Sequence, residues 1–115
     1  MIHLEKQDEF TIIRLTGRLD GITMGEVEST FLDAVAAGEQ RFIMDLKGLE
    51  YISSAGLRVM LLAIKKTKAI GGKLVLFGLA GTVEEVFQMS GFTAIFSIVN
   101  TEQEAVEAIL TAGGV

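Results

Sequence analysis

The stretch that decides the fold is Phe42-Ile43-Met44-Asp45-Leu46-Lys47-Gly48-Leu49-Glu50-Tyr51-Ile52-Ser53-Ser54-Ala55-Gly56-Leu57-Arg58-Val59-Met60-Leu61-Leu62-Ala63-Ile64. Its first five residues form an apolar run suited to a buried strand. Leu57, Met60, Leu61 and Ile64 then recur at helical spacing, and Gly71-Gly72 ends that segment. Between the two periodicities lies Tyr51–Arg58, with paired serines and a glycine. The stretch therefore reads as strand, turn and helix, one half of a crossover unit.

The same alternation extends to both sides. Ile2–Lys6 and Phe10–Gly17 read as two strands joined by Gln7-Asp8-Glu9, an opening hairpin. Met24, Val27, Phe31 and Val35 share a helical face that Gly38 stops. Downstream, Leu74–Phe77 is a continuous apolar run. Val83, Val86 and Phe87 mark a helix ended by Gly91, and Ile95–Val99 reads as a strand. A last helix uses Ala105, Val106 and Ile109 and is expected to fray at Gly113-Gly114. The order is β-β-α-β-α-β-α-β-α, which predicts a single α/β domain over residues 1–115. Its sheet should be mixed but mostly parallel, with about five strands and four helices.

Composition narrows the function classes. The chain has 115 residues, half of them hydrophobic, with a formal net charge of −5 and no cysteine. Neither a disulfide frame nor a thiolate metal site is possible. The longest apolar stretch, Val59–Ile64, is far short of the roughly 18 residues a membrane span needs. The acidic N-terminus has no apolar core of a signal peptide. These features point to a cytoplasmic domain that binds neither membrane nor nucleic acid directly.

The usual chemistry-bearing motifs are missing. There is no Gly-x-x-x-x-Gly-Lys, no Gly-x-Gly-x-x-Gly and no Gly-x-Ser-x-Gly. His3 is the only histidine, too few for a triad or a metal set. No catalytic residue, metal or cofactor is assigned, and the expectation is a protein that is not an enzyme.

One helix start differs from the rest. Thr23-x-x-Glu26, Thr82-x-x-Glu85 and Thr101-x-x-Glu104 each have the pattern of a capping box, with the acid at the positive end of the helix dipole. The helix after Tyr51-Ile52 has no carboxylate in its first turn. Ser53 or Ser54 can cap it, Gly56 sits where a helix former is expected, and Arg58 lies where the dipole disfavours a cation. A phosphate on a serine here would supply the missing negative charge, about −1.5 to −2. A plain serine-capped turn is the structural alternative.

At this motif the sequence resembles the STAS domain family of anti-sigma factor antagonists. The likeness includes Ile13-Arg14-Leu15-Thr16-Gly17-Arg18-Leu19-Asp20, the Phe42–Leu46 strand leading into Leu49–Leu57, Ile70-Gly71-Gly72-Lys73-Leu74 and Phe87-Gln88-Met89-Ser90-Gly91-Phe92. It implies a partner-switching protein. The unphosphorylated form would bind an anti-sigma factor that is also a serine kinase, freeing a sigma factor for transcription. The kinase would phosphorylate one serine with ATP, and a PP2C-type phosphatase would reset it. Alignment on Gly56-Leu57 places that serine at Ser54. The family's commonest form has aspartate immediately before it. Ser53 stands there instead and is a competing site, and Ala55 follows where serine or threonine is frequent. The resemblance implies partner contacts from Asp20, Ser53, Ser54, Ala55, Gly56 and Arg58, together with the exposed side of the helix to Lys68. A non-phosphorylated STAS scaffold or ligand-sensing module in a larger signalling complex is the alternative.

Overall fold

A computed structural model describes residues 1–112, so the fraying expected at Gly113-Gly114 lies outside the described residues. The elements are β1 (Ile2–Lys6), β2 (Thr11–Leu19), α1 (Met24–Ala36), β3 (Arg41–Ile52), α2 (Ser54–Ala69), β4 (Lys73–Phe77), α3 (Gly81–Met89), β5 (Ser97–Val99) and α4 (Glu102–Ala112). A single 3-10 turn, Phe92–Ala94, precedes β5. This is the expected order, in one five-stranded sheet arranged β1-β2-β3-β4-β5. The β1–β2 hairpin is antiparallel, and the remaining three pairings are parallel.

Each crossover moves one place along the sheet in the same direction. With crossovers of one hand, α1, α2 and α3 must all lie on the same face. Their buried residues, among them Val27, Phe31, Met60, Ala63 and Phe87, pack with Ile13, Leu15, Met44 and Leu76 in the main core. Among the described residues α4 is the helix that covers the opposite face, through Ala105 and Ile109 on Ile12, Ile43, Val75 and Phe77. Adjacent residues such as Ile12 and Ile13 serve different cores, which explains why the central strands are apolar on both faces.

Three boundaries depart from the sequence reading. β2 does not end at Gly17: it passes through that residue in the left-handed region (φ +79°), with register shifts on either side, and continues to Leu19. β3 does not end at Leu46, because Leu49 and Ile52 keep an inward-facing apolar pattern to its end. The last strand starts at Ser97 rather than Ile95. Phe87, Phe92 and Phe96 form a cluster with ring centroids 5.6–5.8 Å apart, and this packing coils the chain before the strand begins.

The three threonine boxes also resolve differently. At α4 the box forms: Glu104 N donates to Thr101 Oγ1 (3.1 Å), and Thr101 N donates to the Glu104 carboxylate (3.3 Å). At α3 the cap is Ala80, which places Thr82 inside the helix, where its hydroxyl donates to the Glu50 carbonyl. At α1 Thr23 is the cap residue, yet its side chain makes no capping bond. It donates instead to the Arg18 carbonyl (2.7 Å) and accepts from Asp20 N (3.0 Å).

The α4 face carries the densest charge cluster. Arg14 on β2 reaches Glu5 on β1 (2.6 Å), Asp45 on β3 (2.7 Å) and Glu102 on α4 (2.9 Å). One guanidinium thus fastens three strands and a helix. Hydrogen bonding to Arg14 holds the Glu5 carboxyl below its ordinary range, and the Glu5, Glu102 and Asp45 carboxylates push Arg14 further into its charged form.

Candidate functional site

The turn between β3 and α2 forms where the parallel strands β2 and β3 end together. Leu19 pairs with Ile52, and Ser53 N donates to the Leu19 carbonyl (2.9 Å). Ser53 is extended (φ −96°, ψ 178°) and caps α2, its hydroxyl accepting from Gly56 N (3.3 Å). Ser54 is the first residue of α2 and is exposed. Among the described residues its hydroxyl makes no hydrogen bond, so the two serines are not equivalent: one is engaged in the cap, the other is free. Among the four α-helices described, α2 is the one with no acid in its first turn.

Gly56 lies beneath the turn. A Cβ there would stand 2.6 Å from the Leu19 carbonyl oxygen and 2.7 Å from Ile52 Cγ1. The helix therefore sits against the end of β2 at a distance that excludes any side chain. Named for partner contact from the sequence, Gly56 is buried and acts from below by setting the height of Ser54. Ala55 is half-buried, and Arg58, one helical turn past Ser54, is exposed.

Asp20 lies beside this turn, one residue beyond Leu19, but its carboxylate is committed locally. It accepts from Ile22 N (3.0 Å) and Thr23 N (3.2 Å), with Arg18 Nε at 3.4 Å. These backbone donors, more than Arg18, hold its carboxyl below the ordinary range. Asp20 thus closes the loop that presents Ile22. Arg18 also stacks over the Tyr51 ring at 4.1 Å, bracing the edge of the same surface.

Two strongly exposed apolar residues escaped the sequence reading. Ile22 and Met89 are 92% and 87% exposed, far more than the other large apolar side chains described. Met89 faces a cleft of about 380 Å³ shared with Ser53, Ser54, Leu57, Val86 and Ser90. Signals for both existed. Ile22 stands between turn residues Gly21 and Thr23, and Met89 is off the Val83–Val86–Phe87 face.

Around the turn lie the Ser53 and Ser54 hydroxyls, the apolar side chains of Leu57 and Met89, and the exposed Arg58. His3 is on the edge strand β1, opposite Arg14 and 3.7 Å from Glu5, well up β2 from Leu19. Among the described residues no three His, Cys, Asp or Glu side chains gather as metal ligands. No helix among them is long and apolar enough to cross a membrane.

Comparison with known proteins gives a consistent result. Residues 1–105 match the STAS domain family. The protein BtrV of Bordetella bronchiseptica, named as a proposed anti-sigma factor antagonist, is 40% identical over 109 residues, covering 95% of this chain and 94% of its own. The phosphorylated form of the Bacillus cell fate determinant SpoIIAA superposes with a TM-score of 0.75 at 26% identity, over 95% of this chain and 99% of the other. A proposed anti-sigma factor antagonist of Thermotoga maritima superposes with a TM-score of 0.89 at 22% identity, covering 94% and 93%, a likeness of fold.

Proposed function

The chain belongs to the STAS domain family, and from that premise we propose that it is an anti-sigma factor antagonist switched by phosphorylation of Ser54. The partner is an anti-sigma factor serine kinase of the cytoplasm, and a PP2C-type phosphatase restores the free serine. The chain is the substrate and the ligand in this cycle and performs no chemistry itself. One observation carries the choice of residue: Ser54 is exposed with an unengaged hydroxyl, whereas the neighbouring Ser53 hydroxyl accepts the Gly56 N–H.

The switch needs no change of fold. In the unmodified state the Ser54 hydroxyl shares its cleft with Tyr51 and Met89, and a partner covers this surface by apolar contact. A phosphate adds about −1.5 to −2 charges at the centre of that contact. Desolvating it opposes binding, and a loss of ~3 kcal/mol is roughly a 150-fold fall in affinity. Gly56 contributes by holding the helix start against β2, so that the hydroxyl stays at the surface. Phosphorylation by native extract with ATP tests the reading. One phosphate is expected in the wild type and in Ser53→Ala, and none in Ser54→Ala. Labelling of Ser54→Ala at the wild-type level would overturn it.

A further inference from the structure

Helix α2 carries Arg58, Lys65, Lys66 and Lys68 and no acid, in a chain whose formal net charge is −5. These are four of the ten lysines and arginines. Lys66 and Lys68 lie in the last turn, where the helix dipole favours cations. The dipole accounts for neither Lys65 nor Arg58, which lie inward of the terminal turns. Among the described residues Arg14, Arg18 and Arg41 each have a carboxylate partner, and Arg58 has none. Arg58, Lys65 and Lys66 border a shallow groove of about 540 Å³ whose floor is Leu61 and Leu62, and no carboxylate lines it. An apolar floor between uncompensated cations is a surface left for something apolar and acidic.

We infer that the partner lays an acidic amphipathic helix in this groove. Its apolar side rests on Leu61 and Leu62, and its carboxylates face Arg58, Lys65 and Lys66. From Arg58 to Lys66 the axis advances about 12 Å, room for roughly two turns of the docked helix. The inference rests on the partner-switching reading above, for it names the chemistry of that partner beside the Ser54 turn. Anionic lipid and nucleic acid fit less well. The acidic remainder of the chain repels both, and a leucine floor offers nothing to a phosphate backbone.

The test uses the full ¹⁵N-labelled chain and a synthetic helical peptide with leucine at i, i+3 and i+4 and glutamate elsewhere. Comparison probes are the glutamine and lysine versions of that peptide, phosphatidylcholine–phosphatidylglycerol vesicles and a DNA duplex. The glutamate peptide is expected to shift amides of residues 58–66 and to bind at least tenfold more tightly than the glutamine version. Combined Arg58→Ala, Lys65→Ala and Lys66→Ala substitutions should weaken it about tenfold, with the far-ultraviolet circular dichroism unchanged. Absence of shifts at residues 58–66, equal binding of the glutamine peptide, or engagement of this helix by vesicles or DNA as strongly as by the peptide would overturn it. No kinase enters the measurement. A failed Ser54 assignment therefore leaves this result standing, and a failed peptide titration leaves the Ser54 assignment standing.

Discussion

The substitution Gly56→Ala probes the geometry of the switch turn most sharply. In a solvent-exposed helix interior, alanine in place of glycine stabilises by about 1 kcal/mol. Here the added Cβ would stand 2.6 Å from the Leu19 carbonyl oxygen, 2.7 Å from Ile52 Cγ1 and 2.9 Å from Leu19 Cγ. The nearest of these is backbone, held by the bond from Ser53 N, so the side chain cannot simply turn away. Relief requires α2 to lift from the end of β2 by several tenths of an ångström, which breaks that bond or opens the packing around Met60 and Val59. Overpacking of this kind costs about 1–3 kcal/mol, more when backbone must move. The helix-propensity gain offsets part of it, leaving a net loss of about 2 kcal/mol, or roughly 8–10 °C in Tm for a domain of this size. Gly25→Ala in α1 is the matched control, because nothing lies within 4 Å of its Cβ position. It should be neutral or stabilising by up to about 1 kcal/mol. Urea denaturation of both variants decides the matter. If Gly56→Ala were as stable as Gly25→Ala, the close approach of α2 to β2 would be wrong, and with it the account of how Ser54 is held at the surface.

Other outcomes follow from the same packing. Arg14→Met should destabilise by about 2 kcal/mol, because Asp45, only 6% exposed, loses its cation while Glu5 and Glu102 remain beside it. Glu39, bonded to Lys6 (2.9 Å) and to the Thr11 hydroxyl (2.8 Å), joins Glu5 and Asp20 in having a folded-state value below its ordinary one, so their contribution is present above the ordinary carboxylate range and is lost as pH falls through the folded values. Wild-type Tm should therefore fall in acid, with a shallower acid slope in Arg14→Met, read by scanning calorimetry from neutral pH downward. Thr101→Ala should cost about 1 kcal/mol by urea denaturation and Thr82→Val less than about 0.5, since a capping box closes at α4 only. Ile22→Ser and Met89→Ser should leave stability within about 0.5 kcal/mol, being almost fully exposed, yet weaken capture of the partner from native extract together.

The sequence made the order of elements legible because the two faces of the sheet demand it. Ile12, Ile43 and Val75 serve one core while Ile13, Phe42 and Leu74 serve the other, producing apolar runs that stand out between helices with one apolar face. Element ends were less legible because long-range packing sets them. Gly17 looked like a terminator, but paired with Leu49 it became a bulge. Phe96 looked like a strand residue, but aromatic packing drew it into the preceding coil. Thr82-x-x-Glu85 matches a capping box letter for letter and fails because Ala80, not Thr82, is where the helix begins. At the site, the absent acid and the two serines were visible in the sequence. Which hydroxyl stays free was not, since that depends on the Ser53 side chain reaching the Gly56 N–H. Ile22 and Met89 left only weak signals, a turn position and a place off the Val83–Val86–Phe87 face, because exposure of an apolar residue leaves no periodic trace of its own.

The central claim is that Ser54 is the hydroxyl that receives the phosphate while Ser53 serves the cap. Mass spectrometry of the Ser53–Ser54 peptide, after incubation of the wild-type chain with native extract and ATP, tests it most directly. A single phosphate is expected on Ser54, retained in Ser53→Ala and lost in Ser54→Ala. A phosphate on Ser53, or none on either serine, would contradict it.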